Sequence, residues 1–553
     1  MRKTNKTKRI LAALLAMIMI MSLLVGCGGK ESSKSGNGKT ITIGMPKNAN
    51  VKDYDTNSYT LWLEEQTGYD LEFQYFSSAS ADYASQVSTM VASGEKLPDI
   101  LWGMQLQEEA YEMYGEDGFF VDLAPYFEDE ELSATFWERM DTIYPEEFQE
   151  HCRKSLYDTE DGAIYGFPTI EATRFDTMNH QVFINQKWLD KLGLAMPTDA
   201  DSLYNVLKAF VTQDPNENGE KDELGLVTMD SIVGSTGGIT WLTNMFVNES
   251  RHYWWNVDAD GQLNFPYTTD EYREALIYIR KLIDEGLMPE SVFTMSQTDV
   301  KGIANASNGV NKAGVLIGHP TLIFSDGNES LYEYTPLKSW GYVVNTGGTF
   351  KKSCFISTDC EDVDAAWEVL MTMCTEEGAI RQRYGEKGVD WEYADEGATS
   401  FIGTEARIKV LNDTAWAEGN TLWHAVAGTI NINAEQESRQ VDENDPDISE
   451  WNYWKLDVMK QTYDNWNEAE AAKPSTLAPQ LIMTDEEEDA TQVIRDNCKA
   501  WVTSMRAKFA CGTENLDPNN DKDWNDYVSK FSTFGFDEWK AQSQEIYDRQ
   551  IAE

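Results

Sequence analysis

The chain predicts an α/β fold with a parallel sheet near its start, and three observations predict it. Between Thr40 and Gly103 short alternating runs take turns with helical runs, most of them closed by a glycine. That spacing is the mark of βαβ units, whose strands pair in parallel. Strand and amphipathic-helix patterns resume between Met178 and Ala379, so a second α/β unit is expected. The 553 residues, at roughly 150 per domain, allow two to four domains.

The elements follow in order. Ile41, Ile43 and Met45 alternate and give a first strand over 40–45. A helix over 59–66 stops at Gly68. Leu71, Phe73 and Tyr75 make a second strand, and a helix over 86–92 ends at Ser93-Gly94. Pro98-Asp99 starts a strand over 100–102, closed by Gly103. Open α/β sheets bind ligands outside the carboxyl ends of their strands, and Trp102 sits at such an end.

Residues 161–175, DGAIYGFPTIEATRF, are turn-rich and then extended, and 178–194 run from strand into a short helix stopped by Gly193. Thr198 or Asp199 caps a helix whose Leu203, Val206, Leu207 and Phe210 share one face. Thr268 with Glu271 forms a capping box before a helix that buries Ala275, Leu276, Ile279, Leu282 and Ile283 and ends at Gly286 and Pro289. AGVLIGHP (313–320) is a buried strand, and GYVVNTGG (341–348) is extended. Residues 361–379 form an amphipathic helix with Ala366, Trp367, Leu370 and Met373 inward. Beyond Ile430 the pattern is mostly helical, aromatic and acidic. There are no heptads and no short-period repeats.

The start of the chain has a separate logic. Arg2, Lys3, Lys6, Lys8 and Arg9 precede an apolar run over 10–25, and Gly26 is the small residue a peptidase pocket takes. This is a secretory leader, too short for a spanning helix. Leu24-Val25-Gly26-Cys27 resembles the lipobox of bacterial lipoproteins. The resemblance implies cleavage after residue 26, a diacylglyceryl group on the Cys27 thiol and an anchor to the membrane. Residues 28–39 are rich in Gly, Ser and Lys and read as a flexible tether, so 27–39 is a linker. No second apolar stretch of 20 residues follows.

The net charge is −49, and loss of the five basic leader residues makes it −54. Such a field repels nucleic acid and anionic headgroups and favours a neutral or cationic ligand. The remaining cysteines (Cys152, Cys354, Cys360, Cys374, Cys498 and Cys511) have no zinc or CxxC spacing. Cys354 with Cys360, or Cys498 with Cys511, are candidate disulfides, with buried free thiols the alternative.

VASGEKLPDILWG (91–103), YGFP (165–168), NQKWLDKLGL (185–194), DPNENGEKDELG (214–225) and EEGAIRQRYGEKGVDWEY (376–393), taken in this order with the lipobox, resemble the family 1 extracellular solute-binding proteins of ABC importers. More closely, the chain resembles the Gram-positive type that handles oligosaccharides. The resemblance implies a two-lobed, periplasmic-binding-protein-like fold with a hinge and an interlobe cleft. The first lobe would hold 40–165 and 348–401. The second would hold 175–345 and 430–553. The crossings would lie at 166–174 and 345–350. The chain would be a lipid-anchored monomer on the extracellular face of the membrane, delivering a neutral oligosaccharide to a permease. Transport energy comes from that partner, so no catalytic residues are expected. A peptide- or signal-binding lipoprotein on the same scaffold and a glycoside hydrolase are the alternatives. No GxSxG, HExxH, P-loop or GxGxxG in strand–helix context supports an enzyme.

Two sets of residues are candidate sites. In DPNENGEKDE, Asp214, Asn216 and Asn218 alternate, Gly219 turns the chain, Glu220 offers a carbonyl, and Asp222 and Glu223 close the shell. A hard cation such as Ca²⁺ wants 6–8 oxygens, so a structural calcium is expected there. The loop lacks the late Glu of an EF-hand. DPNNDKDW (517–524) alternates similarly but reads as a turn and helix cap. Sugar rings stack their C–H faces on flat aromatics, and the chain has 18 tryptophans. Trp102, Trp241, Trp254, Trp255, Trp340 and Trp423 are the stacking candidates, with Glu171, Arg174 and His319 as hydroxyl binders. Core packing competes with each tryptophan. Trp62, Trp188 and Trp367 lie on helix faces and are assigned to cores.

Overall fold

Ile41, Ile43 and Met45 are all buried in the strand they predict, β1 (Thr40–Pro46). It pairs in parallel with β2 (Asp70–Phe76) and β3 (Ile100–Trp102), as the βαβ spacing requires. The helix Ser58–Thr67 ends at Gly68, whose φ of 74° is left-handed. The computed structural model describes residues 39–144, 146–157, 162–171, 181–230, 238–249, 254–305, 310–318, 323–325, 328–343, 349–412, 415, 419–430, 438–440, 450–479, 481 and 483–552. The leader, Cys27, most of the tether, Arg174 and His319 lie outside them.

After β4 (Phe167–Glu171) the chain forms a second sheet. Its strands are β5 (Val182–Asn185), β6 (Leu224–Val227), β9 (Ala313–Ile317) and β10 (Tyr334–Pro336). A small hairpin, β7 (Asn256–Val257) with β8 (Leu263–Asn264), lies between them in sequence. The order is β10-β5-β9-β6, with β6 and β9 parallel and β5 antiparallel to both its neighbours. The helix Ala200–Thr212 buries Leu203, Val206, Leu207 and Phe210 against this sheet, and Asp199 caps it. The cap of the helix Asp270–Asp284 corrects the expected capping box. Thr269, not Thr268, accepts from the Tyr272 amide. Thr268 belongs to the preceding 3-10 turn.

The chain returns to the first sheet as β11 (Thr349–Ile356), a strand with no clear alternation in its sequence. β11 is antiparallel to β3 on one side and to β4 on the other, giving the order β2-β1-β3-β11-β4. The described part of the expected extended run, 341–343, is not in a strand. The long amphipathic helix is two. Val363–Cys374 ends at Thr375, whose hydroxyl accepts from Gly378 and caps Glu376–Tyr384. A hairpin of β12 (Trp391–Tyr393) and β13 (Ile408–Val410) follows. Residues 419–430 then pack on the first lobe, with Trp423, Ala427 and Ile430 in the core that holds Ile43, Trp102 and Phe167. Residues 439 and 440 still bridge to Ile408 and Ser400.

The rest is helical: Glu450–Ala472, Asp485–Cys511, Asp521–Lys530 and Phe536–Ala552. Trp454 and Val458 pack on the second sheet beside Phe183 and Phe324. Asp521–Lys530 is capped by Asn520, so 517–524 is the turn and cap its sequence suggests. All six cysteines from Cys152 onward are free, which sets aside both candidate disulfides. Among the described residues no helix is long and apolar enough to cross a membrane.

Candidate functional site at the sheet ends

The last two strands of the first sheet carry the chain out of it and back again. β4 and β11 run past the end of β3, where Cys354 faces Trp102, until Thr349 pairs with Glu171. Ile430 bridges Ile170 beside them, and the Ile170 amide donates to the Thr429 carbonyl at 3.0 Å. Three passages of chain thus lie side by side. Thr169 and Ser353 share a hydroxyl hydrogen bond of 2.5 Å, and the Gly428 amide donates to Thr169 Oγ1 at 2.8 Å.

Trp102 ends β3 as expected, but the structure corrects its role and that of Trp423. Both rings are fully buried. Trp102 Nε1 donates to the Ala427 carbonyl at 3.1 Å and Trp423 Nε1 to Thr60 Oγ1 at 2.9 Å. The segment 419–430 lies over the strand end and takes the face a sugar would need. At the neighbouring carboxyl end of β2, Tyr75 is 42% exposed, with the Lys47 ammonium 4.9 Å from its ring and Phe73 stacked beside it. In the sequence Tyr75 belongs to an alternating strand, where nothing separates an outward ring from an inward one.

In the second lobe, Trp241 is buried in the core and holds Trp340 edge-on, with centroids 5.7 Å apart. Trp340 is half-buried, and its Nε1 is buried without a hydrogen-bond partner. Trp254 and Trp255 pack elsewhere, against Phe265 and the C-terminal helices, where Trp255 meets Trp539 at 4.8 Å. Trp255 is thereby corrected to a core residue, and the half-buried Trp254 carries the Lys499 ammonium at 5.7 Å. The carboxyl rim of this sheet also carries Gln181, which precedes β5, and Asp230, which follows β6. Asp230 forms an ion pair with the buried Arg506 at 3.2 Å, and Arg506 also reaches Glu249 at 3.3 Å. The cluster of Asp230, Glu249 and Arg506 was not legible in the sequence, because its members come from distant segments.

The acidic loop turns at Gly219, as its spacing predicts. Asp214, Glu217 and Gly219 have positive φ. Asp214 Oδ2 accepts from the Gly219 amide at 3.2 Å, Asn216 Oδ1 from Asn218 at 3.0 Å, and Asn218 Oδ1 from Glu220 at 2.7 Å. Both Asn side chains also donate to Asp222 Oδ1, and Lys312 lies 2.6 Å from Asp222 Oδ2. Lys312, with Asn218, holds the Asp222 carboxyl below the usual range. Glu223 is buried, and burial, then the Asp214 and Asp222 charges, pushes its carboxyl up. Among the described residues no three His, Cys, Asp or Glu side chains are arranged to hold a metal. The loop offers a different donor set, of carboxylates, Asn oxygens and a carbonyl. Asp214 Oδ1 and Glu223 Oε1 are buried without hydrogen-bond partners. Two adjacent carboxyls with orphaned oxygens fit a hard cation.

Residues 45–380 match the family model described as bacterial extracellular solute-binding protein. The chain is 24% identical over 561 aligned residues, 96% of both chains, to the fructooligosaccharide ABC transporter substrate-binding protein FusA of Streptococcus pneumoniae serotype 4. Its fold resembles an EF-hand mutant of S. pneumoniae FusA solved with fructo-nystose, at TM-score 0.69 and 21% identity over 93% of this chain and 100% of that one. It also resembles a solute-binding protein from Bifidobacterium longum infantis described as HMO binding, at TM-score 0.71 and 20% identity over 93% and 99%.

Proposed function

The chain belongs to the bacterial extracellular solute-binding protein family, and from that premise we propose that it captures a neutral oligosaccharide between its lobes and delivers it to the membrane subunits of an ABC importer. Proteins of this family bind and hand over their solute, so the chain is not an enzyme. The observation that carries the sugar reading is the end-to-end correspondence, over 96% of both chains, with a protein named for fructooligosaccharide. Both lobes therefore have counterparts in a sugar importer.

The lobes are proposed as 40–165 with 348–401 and 175–345 with the C-terminal helices from Glu450, joined by crossings at 166–174 and 345–350. Ile430 packs in the first core and 439–440 bridge to Ser400 and Ile408, so the expected second-lobe start at 430 is moved to those helices. The pairing of Thr349 with Glu171 supports the crossings, since it brings both passages to one place. Closure about them would bury the sugar. Trp340, with a half-open ring and a free indole N–H, is the proposed stacking tryptophan. Glu171 is the proposed hydroxyl binder at the crossing, with Arg174 and His319 beyond the described residues.

Asp214, Asn216, Asn218, Glu220, Asp222 and Glu223 would hold Ca²⁺, which neutralises adjacent carboxyls and stiffens the loop. That a FusA EF-hand variant exists among similar structures supports this reading. Cys27 would carry the lipid that anchors a monomer outside the cell.

A thermal-shift screen with kestose, an acidic oligosaccharide and peptides tests the function, followed by calorimetry and product analysis. A saturable shift with kestose or another neutral oligosaccharide, recovered intact, is expected. A response to peptides alone, or cleaved sugar, would overturn the reading.

A further inference from the structure

Gln181 is the first residue of the second lobe's described chain, immediately before β5. Its carbonyl accepts from the Gly318 amide at 2.9 Å, which fixes it at the rim where β9 ends. The neighbouring Val182 carbonyl accepts from Leu337 at 2.7 Å, and Thr228 Oγ1 donates to the Ile317 carbonyl at 3.4 Å. Gln181 therefore stands in the row of strand ends where open α/β sheets bind ligands.

Its side chain is fully buried, yet neither Oε1 nor Nε2 has a hydrogen-bond partner. Among the described Asn and Gln residues it alone has both ends of the amide buried and unpaired. The contrast within one strand is direct. Asn185, at the far end of β5, accepts from the Trp188 amide at 3.0 Å and donates to Glu333 at 3.4 Å. Strand alternation puts Gln181 on the face of Phe183, which packs with Val227, Met229, Leu316 and Ile323. A donor and an acceptor thus lie on the strand face that this apolar cluster covers.

An unpaired buried amide opposes folding, and an apolar residue of the same size would serve the core better. We propose that Gln181 is a specificity-determining residue of the solute site, and that its amide pairs with two adjacent hydroxyls of a sugar ring. Oε1 accepts from one hydroxyl and Nε2 donates to its neighbour. The amide is neutral and planar, and its two polar atoms face a vicinal diol in complementary sense. This inference rests on the oligosaccharide reading above. It explains selectivity: a ring lacking either hydroxyl leaves half the amide buried and unpaired, a penalty larger than a lost surface contact.

The test compares the purified wild-type protein with Gln181→Met and Gln181→Ala. Unliganded melting temperature and affinity for kestose, or for the neutral oligosaccharide giving the largest shift in the screen, are measured. Gln181→Met is expected to raise the unliganded melting temperature and to weaken binding at least tenfold. Gln181→Ala is expected to weaken binding similarly, and it keeps the affinity test valid should Met not fit there. A lowered melting temperature with Gln181→Met and unchanged affinity with Gln181→Ala would make Gln181 a structural residue and overturn the inference. A raised melting temperature with unchanged affinity would equally remove it from the site. Wild-type protein that binds none of the neutral sugars would overturn the oligosaccharide reading instead, a result separate from any variant's.

Discussion

Trp423 meets Trp102 edge-on, with ring centroids 4.9 Å apart and planes at 89°. The contact fastens the late segment 419–430 across the end of β3, in the first lobe's core. Truncating Trp423 to Ala opens a large cavity and leaves the Thr60 hydroxyl without its indole donor. The expected cost is about 3–5 kcal/mol. It is read as a lower urea midpoint with an unchanged slope. A wild-type midpoint would show that the ring is not packed in the core.

Arg506 gives a second test. It is buried in the helix Asp485–Cys511 between Asp230 and Glu249, and Glu249 also accepts from the Thr243 hydroxyl. Removing one partner of a buried pair strands the other charges. Arg506→Met is expected to lose about 3–5 kcal/mol. The triple variant with Asp230→Asn and Glu249→Gln is expected to recover part of it. Equal losses in the single and triple variants would show that packing, not charge, explains the cost.

The first sheet was legible because its signals are local. Period-two alternation, glycine stops and short connections specify β1 to β3, and the same logic placed the helix Ala200–Thr212. β11 was missed because Lys351, Lys352 and Ser353 break its apolar pattern, although Lys352 and Ser353 are buried. The second sheet's mixed direction is not legible, because nothing in the run 182–185 reports strand polarity. The tryptophans were the hardest. Trp102 and Trp340 look alike in sequence, and only the distant segment 419–430 decides that one is covered. The acidic loop lies at the other extreme, since its oxygens come from consecutive residues.

The loop yields a third prediction. If the Asp214 and Glu223 carboxyls share a cation with the loop's neutral oxygens, chelation removes a ligand that binds only the folded state. EDTA or EGTA followed by desalting is expected to lower the melting temperature, and added Ca²⁺ to restore it. A hundredfold excess over the dissociation constant corresponds to about 2.7 kcal/mol. Asp214→Ala is expected to have a low melting temperature that neither treatment changes. A wild-type protein indifferent to chelation and to added calcium would count against the site.

The last prediction concerns acid. His424 is buried on the segment that covers Trp102, its carbonyl accepting from Asn48 Nδ2 at 2.9 Å. Burial pushes its imidazole below the ordinary 6.5. The unfolded chain therefore takes up this proton near pH 6.5, while the folded protein takes it up only at lower pH. Between those values the unfolded state binds more protons, so stability falls as pH falls. The cost is about 1.4 kcal/mol per pH unit separating the two pKa values. Carboxyls held low, such as Asp222 and Glu377, act in the same direction but only below about pH 4.5. Glu223, whose carboxyl burial pushes up, acts in the opposite direction in part of the interval from about pH 6.5 to 5 but is common to both proteins, so the difference between wild type and His424→Gln isolates the histidine. The variant is expected to lose less stability across that interval. Parallel profiles for the two proteins would show that His424 is protonated equally easily in both states.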